Sequence, residues 1–143
     1  MNSDITDKIR KYIQSQSRNK IIFHTRELAD LETINIGKLL SESIYHFEEQ
    51  DKLPMRVSSE LNALLDKSVA FHKLYGKYLS LENIGILFEQ ELKFNFVQLL
   101  ENFSQNNALF IKWDGEIDAD YIYFWTKEQG IKTNIKHLSH IAL

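Results

Sequence analysis

Leu81-Glu82-Asn83-Ile84-Gly85-Ile86-Leu87-Phe88, running on into Glu91-Leu92-Lys93, is the stretch on which the fold turns. The run before it, Tyr78-Leu79-Ser80-Leu81, is short, apolar and aromatic, the composition of a buried strand. Glu82 ends that strand and Asn83 begins a turn. An acid just past a buried strand occupies a position suited to holding the metal of a nucleotide. Its plainer role is to brace the following turn.

Outward from this stretch, helical and strand patterns alternate. Asp4 to about Gln16 has Ile5, Ile9, Tyr12 and Ile13 on one helical face, with Ser3 as the expected N-cap. Lys20–His24 and Thr33–Ile36 read as short strands, and Gly37 opens a helix to about Gln50 with Leu40, Ile44 and Phe47 at helical spacing. Asp51–Pro54 breaks it. A further helix starts at Ser58 or Ser59, places Leu61, Leu65, Val69 and His72 on one face, and ends with Gly76 as C-cap. Asn95 is the expected N-cap of a helix to about Gln105, whose buried stripe is Phe96, Leu99, Leu100 and Phe103. Ala108–Trp113 and Tyr121–Trp125 read as strands joined by a loop at Asp114-Gly115, and are expected to pair antiparallel. Ile131–Ile135 is a last short strand. This order predicts a single α/β domain over residues 1–143, with a small, mostly parallel sheet flanked by helices and a C-terminal antiparallel strand pair. One connection resists it. Thr25–Glu32 offers eight residues, where a crossover between neighbouring parallel strands needs about a dozen. Either the first strand pairs elsewhere or the crossover is shortened.

Composition narrows the function classes. Of 143 residues, 43% are hydrophobic and 26% charged, ordinary globular values that leave room for a core. One proline and five glycines speak against long linkers and against an all-β chain of tight turns. There is no cysteine, which excludes disulfides, thiolate metal sites and cysteine nucleophiles. The net charge of −3 does not favour nucleic acid as a partner, although Arg10, Lys11, Arg18 and Lys20 cluster near the start. Lys127, Lys132 and Lys136 form a looser group beside Tyr121, Tyr123 and Trp125. No run is long and apolar enough for a membrane span, so no membrane partner is expected and the default location is the cytoplasm.

Motifs for chemistry mostly fail. A phosphate-binding P-loop needs G-x-x-x-x-G-K-[ST]. Gly37-Lys38 is followed by Leu39 and Gly76-Lys77 by Tyr78, with Glu32 and Phe71 at the upstream glycine positions. The loop would be expected after Phe23, where the chain instead reads His24-Thr25-Arg26-Glu27. Asp114-x-Glu116-x-Asp118-x-Asp120 has the acid spacing of a calcium loop, but Ala119 replaces the turn glycine and Trp125 the closing glutamate. His137 and His140 could share a helical face, but no third ligand is placed with them. G-x-S-x-G is absent.

From Ile34 onward the chain resembles the small BrxF-like P-loop proteins of bacteriophage-exclusion (BREX) loci. The resemblance is carried by Ile34-Asn35-Ile36-x-x-x-Leu40 and by Leu81-Glu82-Asn83-Ile84-x-Ile86-Leu87-Phe88 with Glu91-Leu92-Lys93. Leu99-Leu100-x-x-x-Ser104 and Trp113-x-Gly115-Glu116-Ile117 extend it. It implies a compact AAA-type scaffold in which Glu82 stands at the acidic end of the Walker B strand, with Glu in place of the usual Asp. The Walker A loop is missing, which sets nucleotide turnover against the resemblance.

Two expectations follow. The first is a non-catalytic accessory or scaffolding subunit without cofactor, held by a protein partner in a bacterial anti-phage defence system, with Trp113, Tyr121, Tyr123 and Trp125 as contact residues. The alternative is a nucleotide sensor in which His24, Thr25 and Arg26 meet ATP and Glu82 its magnesium, or a nucleic-acid-binding regulator using the basic groups.

Overall fold

The computed structural model describes residues 2–28, 30–47, 53–88, 94–124 and 131–143. Trp125, Lys127, the Glu91-Leu92-Lys93 motif and the start of the Asp51–Pro54 breaker lie outside them, as do the side chains of Ile44 and Phe47.

The elements are α1 (Asn2–Ile13), β1 (Ile21–His24), β2 (Thr33–Asn35), α2 (Ile36–Phe47), α3 (Leu53–Lys67), β3 (Ala70–His72) and β4 (Gly76–Glu82). A 3-10 helix at Ile84–Phe88 follows, then α4 (Phe96–Ser104), β5 (Ala108–Lys112), β6 (Tyr121–Phe124), β7 (Ile131–Asn134) and β8 (His140–Ala142). The main sheet runs β2-β4-β5-β1-β8 with every neighbouring pair parallel. The protein is thus an α/β fold with a mostly parallel sheet between helices, and β6 and β7 form a separate antiparallel pair.

All four residues of β1 are buried, as expected of a strand with parallel neighbours on both sides and layers over both faces. Side chains alternate between those faces. Ile21 and Phe23 join the larger core with Leu40, Leu61, Leu65, Leu99 and Leu100 of α2, α3 and α4. Ile22 faces Ile9 of α1, together with Tyr78 and Phe110. Burial at about 1.5–3 kcal/mol per large apolar side chain makes the α4 stripe a structural element. Asn95 caps that helix as expected, its Oδ1 accepting the Gln98 N–H at 3.0 Å.

The short connection Thr25–Glu32 is resolved by pairing. β1 lies between β5 and β8, three positions from β2, so no tight crossover joins adjacent strands. The described part of the connection has no helix. It lies over the α1 face of the sheet, where Leu28 and Leu31 pack on the smaller core and the Glu32 N–H donates to the Tyr78 hydroxyl at 2.9 Å.

Several local expectations are corrected. Ser3 falls inside α1, not before it. The helix expected to run to Gly76 stops at Lys67, and Ala70–His72 folds back antiparallel on β4. Gly76 opens β4 directly after the turn of that hairpin, paired with His72, with φ at +78°, a conformation that costs glycine little. His72 is therefore on a strand, stacked on Tyr75 with ring centroids 4.2 Å apart. The strand at Ala108–Lys112 pairs parallel with β1 and β4, and the antiparallel partner of β6 is β7. His140 lies on β8, a strand absent from the sequence reading, so it shares no helical face with His137.

Candidate functional site

Parallel α/β sheets bind ligands in crevices outside the carboxyl ends of their strands. At the carboxyl end of β1 there is such a pocket, of about 380 Å³, within the usual range for small-molecule sites. Asp4, Ile5 and Lys8 come from α1, Asp4 and Lys8 one turn apart at i and i+4. His24 ends β1, and Thr25, Arg26 and Leu28 belong to the connection that follows. Leu143, just past β8, closes the far side.

His24 is the one pocket residue that is both polar and buried, at 4% exposure. Its Nδ1 lies 2.6 Å from the Arg26 carbonyl oxygen. A carbonyl only accepts, so Nδ1 carries the hydrogen. Burial pushes the imidazole pKa down, the Lys112 charge adds to that, and the Arg26 carbonyl opposes it. The ring is therefore neutral at physiological pH, and Nε2 holds a bare lone pair. Nε2 is buried and has no hydrogen-bond partner among the described residues. Phe110 packs against the ring in an edge contact at 6.4 Å. A buried acceptor left unmatched costs about 1–3 kcal/mol. Sites of this kind are few in folded proteins and call for an explanation.

The charged residues around the pocket are at its surface. Among the described residues Lys8 and Arg26 are exposed and form no ion pair. Glu27 instead faces Lys112, 3.8 Å from its Nζ.

Glu82 is placed elsewhere. It ends β4, half-buried, in register with Asn35, and β5 separates its strand from β1. It does not line the β1 pocket. The structure thus brings His24, Thr25 and Arg26 together and leaves Glu82 apart. Beyond Glu82, Asn83 turns the chain with φ at +55° and donates from Nδ2 to Asn35 Oδ1 at 2.9 Å. That Oδ1 also accepts the Lys38 N–H at the start of α2. Gly37 fits beneath: a Cβ there would sit 2.3 Å from Asn83 Nδ2. Asn83 thereby locks the β2–α2 turn, a structural use of the motif that opened the sequence reading.

Two of the four aromatic residues expected at a partner interface are internal. Trp113 and Tyr123 are 7% and 8% exposed. The Trp113 ring packs 5.7 Å from Phe88, and the Tyr123 hydroxyl donates to Asp118 Oδ2 at 2.8 Å, which with burial pushes the phenol up to about 12. Tyr121 is half-buried beneath the Lys132 ammonium, 4.6 Å from its ring centroid. Trp125 lies outside the described residues. The acid-rich loop is ordered by the same Asp118, whose Oδ1 accepts the N–H groups of Asp120 and Tyr121 at 2.9 and 2.8 Å. Its carboxylate is committed to the turn. Of the basic residues near the start, Lys20 is tied to the Ser15 carbonyl at 2.6 Å and Arg18 faces Glu101 at 3.7 Å.

Sequence reasoning missed Asp4, Ile5, Lys8, Leu28 and Leu143 as site residues. The only signal was the placement of Asp4 and Lys8 one turn apart on an amphipathic helix, which by itself describes a solvated edge.

No family model matches the chain, and no curated protein or solved structure matches it either.

Proposed function

We propose that this protein is a non-catalytic ligand-binding subunit on a P-loop-like scaffold, which takes a small molecule in the pocket at the carboxyl end of β1. The observation that carries this reading is His24, which lines a pocket at the ligand-binding edge of a parallel sheet and whose buried Nε2 has no partner among the described residues. Binding without turnover fits the surroundings. No helix opens in the described residues directly after β1, so the helix-terminal N–H groups that cradle a transferable phosphate are lacking there. Glu82 stands on another strand, out of the pocket.

The test is an NMR titration that follows the His24 ring and the methyl groups of Ile5, Leu28 and Leu143. Nucleotides with magnesium, sugar phosphates, amino acids and carboxylates are added as separate classes. Saturable shifts at these four residues with at least one class are expected. No response to any class at millimolar concentration would remove the reading.

A second role is compatible with the first and rests on different residues. Phe71 is 76% and Leu74 44% exposed around the β3–β4 hairpin, an apolar surface suited to a protein partner. With the resemblance to BrxF-like proteins, this favours an accessory role in a cytoplasmic anti-phage assembly. Among the described residues no helix is long and apolar enough to cross a membrane. Mass measurement after co-expression with neighbouring gene products should find a complex that Phe71→Ser weakens. A lone monomer with all of them would count against it.

A further inference from the structure

Resting on the ligand-binding reading, we infer that the pocket selects a phosphate monoester of a hydroxylated compound, a sugar phosphate or a nucleoside 5′-monophosphate, over a triphosphate. The inference comes from matching donors to acceptors.

The inner polar group of the pocket only accepts. His24 Nδ1 is spent on the Arg26 carbonyl, and Nε2 offers a lone pair. Phe110 packs against the ring and the Arg26 carbonyl holds Nδ1, while His24 itself lines the pocket. Asp4, as a carboxylate, is also an acceptor. A ligand that satisfies both must bring hydrogen-bond donors, and vicinal hydroxyls supply two on one rigid frame. Inorganic phosphate and simple carboxylates do not carry such a frame.

Lys8 and Arg26 are the two cations of the lining, and neither is consumed by an ion pair among the described residues. Two positive charges match the roughly −1.5 to −2 of a phosphate monoester near neutral pH. Arginine offers it a planar fork of N–H donors and lysine a point charge. A triphosphate carries more charge than this pair can answer. It is normally neutralised by a row of backbone N–H groups and by magnesium. After β1 the described chain forms bends and an irregular connection, not a loop leading into a helix. Among the described residues there is no cluster of three metal-ligating side chains. Ile5, Leu28 and Leu143 complete the wall with aliphatic surface, on which the body of the ligand can rest.

The experiment is calorimetric titration of the whole chain with ribose 5-phosphate, AMP, ATP with magnesium, and inorganic phosphate, paired with NMR of the His24 ring. Ribose 5-phosphate or AMP should bind with Kd of ~1 mM or tighter. ATP with magnesium should be weaker by about tenfold or more, and inorganic phosphate weaker still. If AMP exceeds ribose 5-phosphate, the source is a nucleotide; if the two are equal, the sugar phosphate is the recognised unit. Lys8→Ala and Arg26→Ala change exposed side chains, so the fold should survive, and each should weaken binding about tenfold. His24→Phe removes no charge and should weaken it by a similar factor. ATP binding as tightly as AMP, or binding that survives both cation variants, overturns the monoester assignment while the pocket reading stands. If only amino acids or carboxylates shift the His24 ring, the assignment likewise falls and the pocket reading stands. Silence of the ring towards every class removes both.

Discussion

At the amino end of β1, Asn19 is 2% exposed and its Nδ2, backbone N–H and backbone carbonyl all have partners. Its Nδ2 donates to Ser104 Oγ at 3.0 Å, its N–H to Ser139 Oγ at 3.1 Å, and its carbonyl accepts from Tyr12 and Ser139. The next residue donates its N–H to the Ser104 carbonyl at 3.0 Å. One short segment thereby ties together α1, α4 and the approach to β8. At the carboxyl end, His24 is equally buried, but one of its ring nitrogens has no partner among the described residues. The two ends are alike in burial and opposite in satisfaction. A buried polar group that is fully matched serves the fold; one left unmatched beside a pocket is a cost the fold carries, and function is the usual reason for such a cost.

The comparison can be broken by substitution. The largest effect is expected for Asn19→Leu, which strips a bond from the buried Ser104 hydroxyl and should lower stability by up to about 3 kcal/mol in urea unfolding. Gly115→Ala should come close behind. A Cβ there would lie 2.7 Å from the Tyr123 carbonyl oxygen and 2.8 Å from the Trp113 indole nitrogen, and backbone cannot give way as a side-chain tip can. A loss of about 2 kcal/mol by the same measurement is expected, and it shows that the carboxyl edge is tight away from the pocket. His24→Phe should differ from Asn19→Leu. It replaces an unmatched acceptor by apolar surface against Phe110 but also removes the Nδ1 bond to the Arg26 carbonyl, so stability should change by no more than about 1 kcal/mol while ligand binding weakens about tenfold. A large destabilisation instead would mean that His24 is a structural residue like Asn19.

The smallest effect is a pH dependence confined to the carboxyl end. Burial holds the folded-state pKa of His24 below its ordinary value, with Lys112 of β5 acting in the same direction. As pH falls, the unfolded chain therefore takes up this proton first. The His24 contribution is complete above about pH 6.5, declines as pH drops through that value, and levels off once the folded-state pKa has been passed. Asp4 and Lys8 of α1 line the same pocket but are not among the groups that shift the imidazole. Urea midpoints across this range should fall in the native protein and flatten in His24→Phe. An equal slope in the variant would assign the effect to other groups.

Much of the fold was legible in local sequence because it depends on local patterns. The α4 stripe and its Asn95 cap, the apolar runs at Ile21–Phe23 and Leu109–Ile111, and the alternation of helix and strand each need only a few neighbouring residues. Where long-range pairing competes with a local pattern, the reading failed. Val69 and His72 continue the helical spacing of Leu61 and Leu65, yet edge pairing with β4 takes Ala70–His72 into a hairpin. β8 was illegible because His140-Ile141-Ala142 is too short to carry a period, and the chain becomes a strand there by lying against β1.

The candidate site divides along the same line. His24, Thr25 and Arg26 could be suspected because they follow a buried strand in a chain with no phosphate loop. Their companions Asp4, Lys8 and Leu143 are brought in from far along the chain by the packing of α1 and the placement of β8. Glu82 does not line this pocket, and β5 lies between its strand and β1. Trp113 and Tyr123, chosen for a surface, are inside because burial of a large ring outweighs its small polar tip, and the tip of Tyr123 finds a partner in Asp118. Residue chemistry alone determined the α/β class, the lack of thiols and the lack of a glycine-rich phosphate loop, since these depend on composition and short-range order. Which groups meet, and which nitrogen of His24 is left bare, depends on contacts between distant segments, and only the tertiary structure decides those.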